Sequence, residues 1–324
     1  MPEPKSSAFD CLCAGIIVAD HVCEPVDHLP APGELILTRR MELLIGGCAS
    51  NVAVDLVRLG LKAALVGKVG DDVFGRHINE ALTAAGVDCR HLGIADRCDT
   101  AGTLIINCRG QDRRFIHSIG ANGRFTGSEV TDELIAAARV LYLGGYLLCD
   151  SMAADEIARS FRTAREAGVP TLLDVVIPGP GDYLGRLKAV LPWTDYFFPN
   201  DDEARTITGL SDPRAQAEAF IAAGARTVVI TCGNRGALVA SRDGLWQAGT
   251  HAVEFVDGTG SGDAFAAGWI YGLRQGADPL GCLRYGSASG AQCVTAMGAT
   301  TGVFSARELE DFVASHPLAI ERIR

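Results

Sequence analysis

The stretch Val256–Leu273, VDGTGSGDAFAAGWIYGL, sets Gly258, Thr259, Gly260, Ser261 and Gly262 directly ahead of Asp263 and an apolar run of helical character. Glycines there let the backbone take positive φ and come close to a ligand. A helix beginning beside Asp263 points unpaired N–H groups outward, which makes an anion site. A carboxylate at the mouth of an anion site would repel a resting phosphate. It suits phosphoryl transfer instead: amides hold the moving group while the acid takes a proton from an acceptor hydroxyl.

Working outward, the chain alternates strand and helix signals. Cys11–Val18 is a continuous apolar run, as expected of a strand buried on both faces, and it ends in Ala19–Asp20, where open α/β sheets bind ligands. Gly46–Gly47–Cys48–Ala49–Ser50–Asn51 opens a helix whose Val52, Leu56 and Leu59 share a face and which Gly60 closes. Asn51 is placed either to bind a ligand or to cap the turn. Strands are expected at Ala63–Val69, Val140–Leu143, Thr171–Val175, Tyr196–Phe198 and Thr227–Thr231, with helices near Phe74–Ala85, Ser151–Ala167, Asp201–Thr208, Arg214–Ala223, Leu280–Met297 and Ser305–Ser315. Such alternation predicts one large α/β domain over 1–324, with a mostly parallel sheet between helices. Glu34–Ile45, with the hairpin Thr103–Asn107 and Phe115–Ser118 around the turn Cys108–Arg114, reads as a small β-sheet lid over segments 34–45 and 103–118.

Composition narrows the class. The net charge of -10 argues against a nucleic-acid groove and an anionic membrane surface. No apolar run reaches transmembrane length, and MPEPKSSAFD lacks the pattern of a signal peptide. The 11 cysteines form no C-x-x-C pair and sit mostly in apolar company, so a reducing, cytoplasmic setting is expected, without disulfides or a zinc site. There is no G-x-x-x-x-G-K-[ST] P-loop, and the Gly258 run lacks dinucleotide-fingerprint spacing.

Two signatures then stand out. Gly46–Gly60, GGCASNVAVDLVRLG, resembles the N-terminal signature of the ribokinase-like (PfkB) carbohydrate kinases, and Asp257–Gly268, DGTGSGDAFAAG, resembles their C-terminal one. Gly70–Gly75, Gly120–Asn122, Asn200–Glu203 and Thr231–Gly236 resemble further segments in the family's order. The resemblance implies a three-layer α/β/α fold and an ATP-dependent sugar kinase. It implies Asp263 as general base, Gly260, Ser261 and Gly262 as the anion hole, and Asp20, Gly46, Gly47 and Asn51 around the acceptor sugar. It further implies Asn200 and Glu203 as organisers of Mg²⁺ through water, Thr231 and Gly233 in the nucleotide loop, and Ser287 near the adenine. Asp257 would face a K⁺ site with carbonyls of Gly298–Gly302. Related sugar kinases pair through the lid, so a homodimer is expected.

Two departures bear on substrate. Gly258 stands where many members carry Thr. After Asp174, Val176 and Pro178 occupy the Asn and Arg places of the D-x-N-x-R seen in fructokinase-like members, which weakens a fructokinase assignment. The lid holds only Phe115 as an aromatic, thin for stacking a base, so a neutral sugar, pentoses ahead of fructose, is expected over a nucleoside. The rival readings are a nucleoside kinase of the same fold and a catalytically silent sensor.

Overall fold

The computed structural model describes residues 8–111 and 114–323; Asp112 and Arg113 of the hairpin turn and the first seven residues lie outside them. Among the described residues fourteen strands follow in chain order: β1 Cys11–Gly15, β2 Val18–Cys23, β3 Met41–Gly46, β4 Ala63–Gly70, β5 Asp88–Ala95, β6 Gly102–Ile106, β7 Arg114–Ser118, β8 Leu141–Tyr146, β9 Thr171–Val175, β10 Tyr196–Phe198, β11 Thr227–Thr231, β12 Ala237–Ser241, β13 Gly244–Ala248 and β14 Ile320–Arg322. The helices are α1 Cys48–Arg58, α2 Val73–Ala84, α3 Asp132–Ala136, α4 Ala154–Glu166, α5 Leu184–Val190, α6 Asp201–Thr208, α7 Pro213–Ala222, α8 Ser261–Arg274, α9 Pro279–Cys293 and α10 Ala306–Ser315.

Ten strands form the main sheet in the order β14-β13-β12-β11-β10-β9-β8-β1-β4-β5. Its ladders run parallel from β5 to β11, and β12, β13 and β14 add an antiparallel edge. The central strands β1 and β8 are buried at every residue, as continuous apolar runs covered on both faces must be. One core, with Leu12, Phe161, Leu173 and Phe220, fills one side of the sheet. The other, with Leu56, Ile78, Trp269 and Leu283, fills the side of α1 and α8. This is the α/β sandwich expected. Among the described residues no helix is long and apolar enough to cross a membrane.

A second sheet of four strands, β3-β2-β6-β7, stands apart. It takes in strands from both segments expected of a lid, and the path of the chain into it differs from the expectation. The run Cys11–Val18 is not a single strand: β1 ends at Gly15, and after Ile16–Ile17 the chain enters β2, one of the two inner strands of the small sheet. Asn122 fixes the crossing, its Oδ1 accepting the Ile17 N–H at 3.1 Å and its Nδ2 donating to the Ile17 carbonyl at 3.0 Å. Asp20 therefore sits within a lid strand, not at the carboxyl end of a core strand. Of the expected 34–45 lid segment, only residues 41–45 are strand, within β3 Met41–Gly46.

Candidate active site

Helix α8 begins where the glycine run predicts. Gly260 is its N-cap with φ 78, in the left-handed region, and a Cβ there would lie 2.5 Å from the Cα of Ala299. The turn thus requires glycine twice over, for conformation and for close approach. In front of Gly262 the space is open, since a Cβ there would meet nothing within 4 Å. Ser261, Gly262 and Asp263 form the first turn, at the positive end of the helix dipole; the Ser261 N–H donates to the Gly258 carbonyl at 3.3 Å, which leaves the Gly262 and Asp263 amides as the helix-start donors.

Asp263 is held from across the molecule. Asn51 Nδ2, in the first turn of α1, donates to Asp263 Oδ2 at 2.8 Å, which joins the two sequence signatures 212 residues apart. The Oδ1 of Asn51, a residue only 3% exposed, is buried without a hydrogen-bond partner among the described residues. The Cys48 thiol and the carboxylates of Asp174 and Asp263 gather with their ligand atoms within 4.8 Å of one another. Tyr142 Oη donates to Asp174 Oδ2 at 3.1 Å. Burial raises Asp263 above the ordinary carboxylate value, and hydrogen bonds from Asn51 and Cys48 oppose the rise. Burial, with the charge of Asp263, pushes Asp174 up to about 8. Glu203 is raised as well, first by burial and then by Asp174. Nearby Asp201 and Asp202 pair with Arg235 and Arg205, but among the described residues no Lys or Arg pairs with Asp174, Glu203 or Asp263. The cluster is thus a concentration of negative charge awaiting cationic or proton neutralisation.

Asp20 packs against Gly46: a Cβ on that glycine would sit 2.1 Å from Asp20 Oδ2, so any other residue there would expel the carboxylate. Burial lifts Asp20 to about 7; a Thr103 hydrogen bond opposes this, and the charges of Asp263 and Asp257 reinforce it. Thr103 Oγ1 in turn meets His117 Nδ1 at 3.0 Å. Gly47, the N-cap of α1, brings the helix start against the Ile16 backbone.

Asn200 caps α6 in a reciprocal box with Glu203, with both hydrogen bonds at 2.8 Å. Thr231, at the end of β11, bridges to Asn200, and Gly233 follows with φ 56 in open space. A cleft of about 300 Å³ lies beside this corner, lined by Ile177, Pro180, Asn200, Glu203 and Thr206. Asp257 is buried; its Oδ1 accepts the Thr259 N–H and Oγ1, and its Oδ2 accepts the Gly298 N–H at 2.9 Å. Ser287 lies on α9, one turn before Gly290, which faces Ser261 at the start of α8.

Three acids or thiols beside Asp263 carry no role in the sequence reading: Cys48, Asp174 and Asp55. Asp55 is fully buried, one turn beyond Asn51, with no hydrogen-bond partner for either oxygen; burial and then the charge of Asp263 hold it well above the usual carboxylate range. A carboxylate amid the apolar positions of the Val52–Leu59 helix is the one signal in the sequence that could have flagged it.

The family model for the pfkB family carbohydrate kinases matches residues 8–306. The chain belongs to that family. It is a sugar kinase, a phosphotransferase with an alcohol acceptor, on a ribokinase-like α/β fold. It is 26% identical over 304 residues to the ribokinase of Haemophilus influenzae, covering 92% of this chain and 96% of that one. It is also 26% identical over 321 residues to the 5-dehydro-2-deoxygluconokinase of Bacillus subtilis, covering 95% and 97%. Among solved structures, Arabidopsis thaliana ribokinase complexed with ribose and ATP matches with a TM-score of 0.80, at 23% identity over 94% of this chain and 99% of that one. An Escherichia coli protein provisionally assigned as ribokinase II, in complex with ATP and Mg²⁺, matches with a TM-score of 0.81, at 24% identity over 95% and 100%.

Proposed function

We propose that this kinase transfers the γ-phosphoryl of MgATP to a hydroxyl of an unphosphorylated sugar, with Asp263 as general base. The observation that carries the reading is the 2.8 Å hydrogen bond from Asn51 to Asp263, which sets the acceptor helix and the anion hole face to face. A base raised by burial moves toward the pH at which it works, which favours proton transfer in the transition state. The Gly260–Gly262 amides, at the positive end of α8, would stabilise charge on the transferring group. Asp20, Gly46, Gly47 and Asn51 would orient the sugar: Asp20 accepts only, and the unpartnered Asn51 Oδ1 offers a further acceptor.

Asn200 and Glu203 suit Mg²⁺ held through water: their capping box leaves one Glu203 oxygen free beside an open cleft. When bound, the ion would neutralise phosphate charge. Ser287, Thr231 and Gly233 would flank the nucleotide. Asp257 suits a monovalent cation such as K⁺, because its buried charge meets only neutral donors, Thr259 and Gly298, and pairs with no Lys or Arg among the described residues. Lid pairing into a homodimer is supported by Met41, Phe115 and Ile116, each more than half exposed on the small sheet. A solution mass of one chain at micromolar concentration would refute it. The unpaired cysteines support a cytoplasmic setting.

The test is ADP release with MgATP across pentoses, hexoses, keto-deoxy acids and nucleosides. A neutral sugar, pentoses first, is expected as the best acceptor. A nucleoside outperforming every sugar would replace this reading with the nucleoside kinase, and no turnover with any acceptor would leave the sensor.

A further inference from the structure

In the lid ladder, Asp20 lies directly opposite Leu44 of β3. Leu44, Gly46 and Asp20 share one face of that sheet, because strand residues alternate sides and Gly46 closes on Asp20. Leu44 does not end in the lid. Its Cδ1 reaches Gly298, where an added Cβ would lie only 2.6 Å away, so the methyl fills the space that a side chain at 298 would take. Gly298 has φ 88, in the left-handed region, and its N–H donates to Asp257 Oδ2 at 2.9 Å. The other oxygen, Asp257 Oδ1, holds the Thr259 N–H at 3.0 Å and its hydroxyl at 2.8 Å, one residue before the Gly260 cap of α8. Three successive contacts therefore run from the acceptor carboxylate's partner strand to the backbone of the anion hole.

We propose that Leu44 is a positioning residue for phosphoryl transfer: through Gly298 and Asp257 it transmits occupancy of the acceptor site at Asp20 to the amides of Gly260–Gly262. This rests on the sugar kinase reading above. Leu44 touches no reacting atom; it completes the anion hole when the lid settles on an acceptor. An empty acceptor site then leaves the anion hole less ordered, which restrains ATP hydrolysis by water.

The test compares wild type, Leu44→Ala and Leu44→Ile by amide hydrogen exchange and by steady-state kinetics. D-ribose, or the best acceptor of the turnover screen, serves as probe. In wild type the acceptor is expected to slow exchange both in the lid strands and across 257–263. In Leu44→Ala the lid protection should persist while that at 257–263 is lost, and kcat should fall ~10- to 100-fold, as a small misplacement of catalytic groups does. The acceptor Kd should change less than about threefold, and Leu44→Ile should restore both readouts. Persistent protection of 257–263 in Leu44→Ala, or kcat within about twofold of wild type, overturns the proposal. Failure of wild type to phosphorylate any acceptor overturns the function reading instead. The ligand-free protein still tests Leu44 in that case: Leu44→Ala must speed exchange of the Gly298 and Thr259 amides, and unchanged exchange there overturns the proposal.

Discussion

Replacing Asn51 by Ala removes one hydrogen bond and leaves Asp263 a buried carboxylate beside Asp174 and the Cys48 thiol. A hydrogen bond to an ionised, buried acceptor is worth about 1.5–3 kcal/mol. That bond favours the charged form of Asp263, so its loss raises the pKa, and at 1.36 kcal/mol per pKa unit the rise is about 1–2 units. As the proposed base, Asp263 must be deprotonated to accept the hydroxyl proton. The acid limb of log kcat/KM against pH should therefore move to higher pH by about 1–2 units. The level of the profile will drop too, since Asn51 is also a proposed sugar contact, but the position of the limb is independent of its height. The assay is coupled ADP release from about pH 5 to 9 at fixed MgATP. An acid limb that stays in place, or moves down, would refute both the role of Asp263 as base and that of Asn51 as its stabiliser.

Asp263→Asn keeps shape and one acceptor oxygen but loses the base, so turnover should fall by roughly two to four orders of magnitude while ATP affinity, measured by calorimetry, barely moves. Asp174 and Asp20 stand at about 8 and about 7 in the folded chain, far above an unfolded carboxylate. The folded state therefore holds these protons more tightly, and the associated stability is full below the unfolded pKa and lost as pH rises through the folded values. The Tm of ligand-free protein should drop between about pH 5 and 8.5, and Asp174→Asn should flatten that slope; a Tm rising over the window would contradict the assignment. Rates in potassium should exceed those in tetramethylammonium at matched ionic strength, and Asp257→Ala should abolish the difference. Equal rates in wild type would remove the cation from the account.

Much of the architecture can be read from the sequence because buried parallel strands and amphipathic helices leave different periods. The start of α8 is visible as well, because only a glycine run can make that turn. The lid's inner strand is hidden, because Ile16, Ile17 and Val18 continue the apolar run while the chain changes sheets, and apolarity does not register a change of direction. Strand β5 carries Asp88, Arg90 and His91 and shows no alternation. At the site, Asp263 and Asn51 sit inside recognisable motifs. Cys48, inside the same motif, reads as a small helix-opening residue, and only the fold reveals that its thiol lies between Asp174 and Asp263. Long-range convergence of that kind has no local signature.

The small sheet is assembled from three separate stretches of chain, 18–23, 41–46 and 102–118, the first being the direct continuation of the central core strand and stapled at Ile17 by Asn122. It is thus not a cassette. No single excision removes it, and grafting it between relatives would mean re-threading the middle of the molecule. On the proposed reading, diversification of acceptor choice on this scaffold proceeds by point changes along those strands, such as at Asp20, Thr103 or His117, while the crossing at Ile17 stays fixed. An engineer seeking a new acceptor would gain more from a small combinatorial library at these positions than from lid exchange.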